Sequence, residues 1–144
     1  MNIFTIGFTK KTAREFFTLI EDSAAVRLID VRLNNVSQLA GFAKRDDLQF
    51  FLGRISGIAY SHELSLAPTK KLLDEYKKMG GAWTDYERQF LMLMDERKIA
   101  ETLDPDFIED AVLLCSEATA HQCHRRLVAE YLADRWENVS VTHL

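Results

Sequence analysis

The stretch that decides the fold is Ala111-Val-Leu-Leu-Cys115, followed by a loop over 116–122 and a helical pattern from about Cys123 to Leu132. The first five residues are all apolar, which is typical of a buried strand. After the loop, four apolar residues recur at helical spacing: Leu127, Val128, Tyr131 and Leu132. The order strand, loop, helix is the repeating unit of a parallel sheet, because parallel neighbours need long crossover connections.

Working outward, four further runs rich in β-branched or aromatic residues predict strands, and helical patterns lie between them. These runs are Ile3 to Ile6, Val26 to Val31, Ile58 to His62 and Val139 to His143. We therefore predict a single α/β domain over residues 1–144. It is a three-layer domain with a mostly parallel sheet of about five strands flanked by helices.

Turn and capping residues mark where the predicted helices begin and end. Thr12 to Glu15 has capping-box spacing before an apolar helical face. Arg45 to Leu52 predicts a short helix. Two helices are predicted in the connection between the third and fourth strands, one opened by Pro68 and Thr69 and one started by Thr84.

The composition fits one folded domain and excludes several other classes. The 144 residues are 47% hydrophobic and 28% charged, with only two prolines and six glycines, which argues against disorder and collagen-like repeats. The net charge of −4 makes a broad nucleic-acid-coating surface unexpected but leaves room for a local basic site. We expect a cytoplasmic location and no membrane partner, because no apolar run approaches the ~18 residues of a membrane helix and no secretory signal is evident.

Polar residues follow the predicted strands at the point where each strand ends. Because the carboxyl ends of parallel strands meet at one edge of the sheet, we expect these residues to cluster around a ligand. In strand order they are Gly7 and Thr9, then Asp30 and Arg32, then His62, then Cys115 and Glu117, with Cys123, His124 and Arg125 opening the last helix.

Two arginines in this set favour an anionic ligand. Arg32 at a strand end and Arg125 at a helix start suit a phosphate, sulfate or carboxylate, which backbone N–H groups also bind. The alternative is an internal ion pair with Asp30 or Glu117. The predicted anion-binding set is Gly7, Thr9, Asp30, Arg32 and Arg125.

The two cysteines are expected to be thiols in a reducing compartment, and both are candidate nucleophiles. Cys123 is the more suggestive, because the start of a helix and the neighbouring arginines should lower its pKa. Cys115 ends an apolar strand, so its alternative role is a small buried core thiol. His62, His124 and Glu117 are candidates to move protons. We expect no metal, because the spacing of the cysteines and histidines is poor for zinc.

Four short motifs resemble a known family. Phe4-Thr5-Ile6-Gly7, Asp30-Val31-Arg32, Cys115-Ser116-Glu117 and Cys123-His124-Arg125 together resemble the domain of unknown function 488 family. The resemblance spans nearly the whole chain and implies a compact cytosolic α/β domain of bacteria or archaea. It supplies no reaction, substrate or cofactor.

Two segments of the chain resemble rhodanese-like domains more weakly. They are the strand end from Leu28 to Arg32 and the strand from Val112 to Cys115. Those domains place four residues between the catalytic cysteine and the arginine, whereas nine separate Cys115 from Arg125 here. We treat this likeness as an analogy of architecture only.

The residues predict a thiol-containing enzyme that acts on an anionic small molecule or nucleotide-like substrate at the carboxyl edge of the sheet. The alternative is a non-catalytic module that binds a nucleotide, a nucleic acid or a protein. Nucleic acid is the less favoured ligand, because basic and aromatic residues do not interleave along the chain. The sequence assigns no cofactor and no oligomeric state.

Overall fold

Five parallel strands form the centre of the protein in the computed structural model, which describes residues 1–36 and 40–144. The strands are β1 (Asn2–Gly7), β2 (Arg27–Asp30), β3 (Ala59–His62), β4 (Ala111–Cys115) and β5 (Ser140–His143). Their order in the sheet is β3-β2-β4-β1-β5, and every neighbouring pair is parallel. The predicted α/β class and the five-stranded sheet are confirmed.

Seven α-helices in the described residues cover this sheet. They are α1 (Ala13–Ser23), α2 (Arg45–Phe51), α3 (Lys70–Lys77), α4 (Trp83–Glu96), α5 (Ile99–Thr102), α6 (Pro105–Ile108) and α7 (His124–Arg135). The short helices α5 and α6 were not expected from the sequence, and α4 begins one residue before Thr84. A π-helical turn, Leu52–Ser56, extends α2 toward β3.

Side-chain caps begin α1 and α3 at the residues that the sequence predicts. The Thr12 hydroxyl accepts a hydrogen bond from the Glu15 N–H, and the Glu15 carboxylate accepts one from the Thr12 N–H, both at 3.1 Å. This is the predicted capping box, and it satisfies two donors that the first turn would otherwise leave open. At α3, the Thr69 hydroxyl accepts from the Leu72 N–H in the same way.

The three central strands, β1, β2 and β4, bury side chains on both faces, so the sheet has two cores. On one face, Ile3, Leu113 and Cys115 pack under α3 to α7. On the other face, Ile6 and Leu114 pack under α1 and α2. Strands that are covered on both faces are apolar throughout, which explains why β4 is an unbroken apolar run.

The chain changes direction between two neighbouring strands. The helix after β1 packs on one face of the sheet, whereas the helix after β4 packs on the other, although Gly7 and Cys115 are paired neighbours. Loops that leave adjacent strands toward opposite faces open a crevice at their carboxyl ends, where ligands bind in open α/β sheets.

In the described ranges, no helix combines the length and the apolar character that a bilayer crossing requires.

Candidate active site

A cavity of about 370 Å³ lies at the carboxyl edge of the sheet, beside the β4–α7 loop. Cys115, at the end of β4, lines it together with Cys123 and His124 at the start of α7. Arg32, just after β2, contributes a second wall, and α3 and α4 contribute a third. The cavity is within the size range of small-molecule sites.

Cys115 and His124 form a hydrogen-bonded pair in this cavity. The distance from Cys115 Sγ to His124 Nδ1 is 3.4 Å, and His124 Nε2 lies 2.7 Å from the carbonyl oxygen of Val31. Because a carbonyl only accepts hydrogen bonds, Nε2 carries a proton, and Nδ1 of the neutral ring is left to accept from the thiol. The backbone of the β2 end therefore fixes both the tautomer and the orientation of a base beside a sulfur atom.

The surroundings of Cys115 favour its thiolate. Burial alone would raise the pKa of Cys115, but several contacts outweigh it and the pKa is lowered. The contacts are a hydrogen bond with the Cys123 thiol, the positive charge of Arg125, and backbone hydrogen bonds from Ser116 and Glu117. Each of them stabilises negative charge on the sulfur.

Cys123 behaves in the opposite way, which corrects the expectation that its pKa would be lowered. It is only 2% exposed and occupies the N-cap position of α7. Burial raises its pKa, and its hydrogen bond with Cys115 and the charge on that neighbouring sulfur raise it further. A helix start and nearby arginines lower a thiol pKa only when desolvation is small, and here desolvation dominates.

Arg32 is held by a buried carboxylate at the end of β2. Its Nε and Nη2 atoms each donate to Asp30 at 2.8 Å, and both side chains are almost fully buried. Tyr60 and Asn35 also donate to Asp30. Burial would raise the pKa of Asp30, but the hydrogen bond and charge of Arg32 outweigh it and lower the pKa. The ion pair expected as an alternative role is therefore present.

One nitrogen of the Arg32 guanidinium group, Nη1, takes no part in the ion pair with Asp30. The Nη1 atom is buried and has no hydrogen-bond partner among residues 1–36 and 40–144. Arg32 as a whole is 2% exposed and lines the cavity. An unsatisfied buried donor is costly, and an anionic ligand atom in the cavity would satisfy it.

Arg125 is buried at the start of α7 and does not pair with the carboxylate of Glu117. Its Nη1 donates to the carbonyl oxygen of Glu117 at 2.7 Å, and its Nε donates to the Thr5 hydroxyl at 3.4 Å. The Glu117 carboxylate instead binds Lys77 at 2.7 Å. Arg125 is 0% exposed, so it acts on Cys115 by its charge and holds the loop after β4 by its hydrogen bonds.

Aromatic rings form the third wall, which sequence reasoning did not identify. Tyr76 of α3 lies 4.9 Å from Tyr86 of α4, and Trp83 stacks on Tyr86 at 5.3 Å between ring centroids. All three residues line the cavity. The spacing of Trp83 and Tyr86, three residues apart on one helix, is the sequence signal that would have placed them on a common face.

Five residues of the predicted site do not line the cavity in the described part of the chain: Asp30 and Arg125, described above, and Gly7, Thr9 and His62. His62 Nε2 lies 2.7 Å from the carbonyl oxygen of Arg32, so its ring supports the backbone behind that residue. Thr9 donates from its hydroxyl to the carbonyl oxygen of Ser116 at 2.6 Å. Gly7 allows the same loop to approach β1, since a Cβ there would lie 1.6 Å from the Glu117 carbonyl oxygen. Thr9 and Gly7 therefore position the loop after β4, whereas His62 supports the segment after β2.

Cys115, Cys123 and His124 are also close enough to share an ion. Their donor atoms lie within 4.8 Å of one another, a distance that a transition metal could bridge. Three donors are one fewer than a structural zinc site uses. The expectation of no metal remains a prediction.

Comparison with known proteins places the chain in a family. The family profile described as "Domain of unknown function DUF488" matches residues 12–132, and the chain belongs to this family. The matched range contains the Asp30-Val31-Arg32 motif and both cysteine motifs, whereas Phe4 to Gly7 lies outside it. Searches of curated proteins and of solved structures found no significant match. The likeness to rhodanese-like domains therefore stays a prediction.

Proposed function

We propose that the protein is a cysteine-dependent enzyme that removes or transfers a group on an anionic small molecule, with Cys115 as the nucleophile. The observation that carries the proposal is the contact between Cys115 Sγ and His124 Nδ1 on the cavity wall. A thiol beside a base, with the other ring nitrogen held by a third group, is the arrangement that activates a nucleophile.

In the proposed reaction, the Cys115 proton moves to His124 Nδ1 and the sulfur attacks the electrophilic atom of the substrate. A bond from sulfur to that atom forms, the bond to the leaving group breaks with its electron pair, and the leaving group takes the proton from Nδ1. Water then attacks the same atom and gives a proton to Nδ1. The sulfur leaves as a thiolate and recovers that proton.

Arg32 supports an anionic substrate. Arg32 lines the cavity, its Nη1 donor is buried and has no protein partner in the described ranges, and Asp30 fixes the rest of the guanidinium group. A fixed donor of this kind costs little entropy when it binds an anion. We assign Arg32 to substrate binding, and Arg125 to stabilising the Cys115 thiolate.

The aromatic wall supports a substrate that also carries a flat or apolar group. The rings of Tyr76, Trp83 and Tyr86 lie along the same cavity as Arg32. Flat groups stack on such rings, and a nucleotide combines a flat base with an anionic phosphate. A nucleotide-like anion is therefore the substrate class that we propose.

Competitive alkylation tests the proposal. The folded protein is treated with iodoacetate, which is anionic, or with iodoacetamide, which is neutral, and labelling of each cysteine is followed by peptide mass spectrometry. We expect Cys115 to react faster than Cys123 and faster than a free cysteine at neutral pH. We also expect the ratio of the iodoacetate rate to the iodoacetamide rate to be about tenfold or more higher at Cys115 than at a free thiol. The reason is a charge-assisted hydrogen bond between the iodoacetate carboxylate and Arg32.

Variants separate the two parts of this proposal. His124→Gln should slow labelling by both reagents, whereas Arg32→Lys should remove mainly the preference for iodoacetate. Arg45→Lys is the control, because Arg45 is half exposed and pairs with the exposed Asp46. Equal labelling of both cysteines would end the nucleophile assignment. A fast Cys115 without any preference for iodoacetate would end the assignment of an anionic substrate.

A non-catalytic nucleotide-binding module is the second candidate, and the aromatic wall beside Arg32 favours it. A protein that only binds a nucleotide would not need the Cys115 sulfur, and the bound nucleotide would stabilise the fold with or without it. We expect Cys115→Ser to abolish group transfer while nucleoside phosphates still raise its melting temperature. If nucleotides stabilise both forms equally and the wild type modifies none of them, the binding module is the better description.

We place this thiol chemistry in the cytoplasm of a prokaryotic cell. A nucleophilic cysteine must be kept reduced, and the cytosol does so. Export into an oxidising compartment would be at odds with a site that contains two neighbouring thiols.

A further inference from the structure

We propose that Cys115 and Cys123 form a redox-active dithiol, in which a peroxide oxidises Cys115 and Cys123 then closes a disulfide. Cys123 is the buried thiol that the reaction proposed above does not use. It lines the same cavity as Cys115. Their sulfur atoms lie within 4.8 Å of each other.

The position of the two residues suits a disulfide. Cys115 ends β4 and Cys123 precedes the first residue of α7, so their backbones lie at the two ends of the 116–122 loop. Sulfur atoms that lie within 4.8 Å of each other need a modest rotation of their side chains to reach the sulfur–sulfur bond length of about 2.05 Å. Partners that lie farther apart would need the backbone to move.

The chemistry balances with hydrogen peroxide as the oxidant. The Cys115 thiolate attacks one peroxide oxygen, a sulfur–oxygen bond forms, the oxygen–oxygen bond breaks, and the departing hydroxide takes a proton to become water. The Cys123 sulfur then attacks Cys115 sulfur. A sulfur–sulfur bond forms, and the hydroxyl leaves with the Cys123 proton as a second water. The two thiols have together supplied the two electrons that reduce the peroxide.

The neighbours of the pair support each step. The Arg125 charge and the backbone hydrogen bonds from Ser116 and Glu117 stabilise the attacking thiolate. His124 Nδ1, 3.4 Å from Cys115 Sγ, is placed to hand a proton to the departing hydroxide. Cys123 lies against the sulfur that becomes the sulfenic acid, so it can react before a second peroxide does.

Mass spectrometry of the whole protein tests this inference. The protein is reduced, freed of reductant, treated with a small excess of hydrogen peroxide in the presence of a chelator, then denatured and alkylated. Trypsin leaves both cysteines in one peptide, Ile99–Arg125, because no lysine or arginine lies between them. We expect this peptide to lose two hydrogen atoms and to carry no alkyl group until a phosphine reductant is added.

Two variants give the matched controls. In Cys123→Ser, Cys115 should stop at the sulfenic acid, which dimedone traps, and should then take up a second oxygen atom. In Cys115→Ser, oxidation of Cys123 should be at least about tenfold slower than oxidation of Cys115 in the wild type, because burial alone still raises the pKa of Cys123 and keeps its thiolate fraction low. Cys123→Ala replaces Cys123→Ser if the serine variant does not fold. The disulfide measurement on the wild-type peptide does not depend on any variant.

The inference is overturned if both cysteines of the peroxide-treated wild type are alkylated. It is also overturned if Cys115 takes up two oxygen atoms as readily in the wild type as in Cys123→Ser. These readouts need no substrate, so the dithiol can stand when the anionic substrate fails. Conversely, a wild type that prefers iodoacetate but forms no disulfide keeps the enzyme proposal and removes this one.

Discussion

Two buried arginines lie at the same edge of the sheet, and their partners differ. Arg32 donates two hydrogen bonds to the carboxylate of Asp30. Arg125 donates to the Glu117 carbonyl and the Thr5 hydroxyl, and among the described residues no carboxylate lies within ion-pair distance of it. The charge of Arg32 is thus balanced where it lies, whereas the charge of Arg125 acts on Cys115. Burial alone does not tell which role an arginine has.

Removing the balancing carboxylate should give the largest effect. We expect Asp30→Ala to lower the free energy of unfolding by about 3–5 kcal/mol, because a buried guanidinium loses its counter-charge. Tyr60 and Asn35 lose their acceptor as well. Chemical denaturation measures the change. Asp46→Ala is the control, since Asp46 pairs with Arg45 at the surface and should cost less than about 1 kcal/mol.

The same carboxylate predicts a dependence on pH. The pKa of Asp30 lies below its ordinary value of 3.8, so the stabilisation is complete above that value and is lost as the pH falls through the lower folded pKa. The wild type should therefore lose stability below about pH 4, and the loss should be shallower in Asp30→Ala. Equal slopes for both proteins would show that Arg32 does not depend on this partner.

A methyl group at Gly7 should have the next largest effect on stability, because it would clash with the loop after β4 that Arg125 holds by a hydrogen bond. A Cβ at this position would lie 1.6 Å from the Glu117 carbonyl oxygen and 2.9 Å from Arg125 Nη1. We expect Gly7→Ala to cost about 1–3 kcal/mol or more and to slow the alkylation of Cys115. Gly53→Ala is the matched control, since its Cβ meets nothing within 4 Å in the described structure. If both variants unfold alike, the contact between β1 and the loop is not constraining.

Replacing Arg125 tests its action on the thiol directly. In Arg125→Met, the pKa of Cys115 should rise, because the nearby positive charge that stabilises the thiolate is gone. The pH at which alkylation of Cys115 reaches half its maximal rate should move upward. Arg126→Met is the control, because Arg126 pairs with Glu87 and Glu130. If the pH dependence of Cys115 alkylation is the same in Arg125→Met as in the wild type, Arg125 does not stabilise the thiolate.

The fold was predictable because its three central strands, β1, β2 and β4, are largely buried. Such strands are apolar runs, and the predicted strand over Ala111 to Cys115 matches β4 residue for residue. The capping box at Thr12 was equally clear, since it depends on two residues at fixed spacing. Helices α5 and α6 were missed because four residues are too few to show a helical period.

The site was predicted less completely, because its chemistry depends on contacts between distant segments. The sequence favoured Cys123 as the nucleophile from its place at a helix start, and only the structure shows that it is buried and that its sulfur lies within 4.8 Å of the Cys115 sulfur. The link from His124 to Val31 joins residues 93 positions apart. The aromatic wall was missed for a similar reason: a helix pattern predicts an apolar face but not which part of it borders a cavity.

The burial of Arg125 has a consequence for behaviour in concentrated electrolyte. Dissolved ions screen charges that face the solvent but reach a fully buried one poorly. The half-exposed contact between Lys77 and Glu117 at the cavity should therefore weaken as ionic strength rises, whereas the acidity that Arg125 lends to Cys115 persists. The lowered pKa of Cys115 should therefore change little with ionic strength.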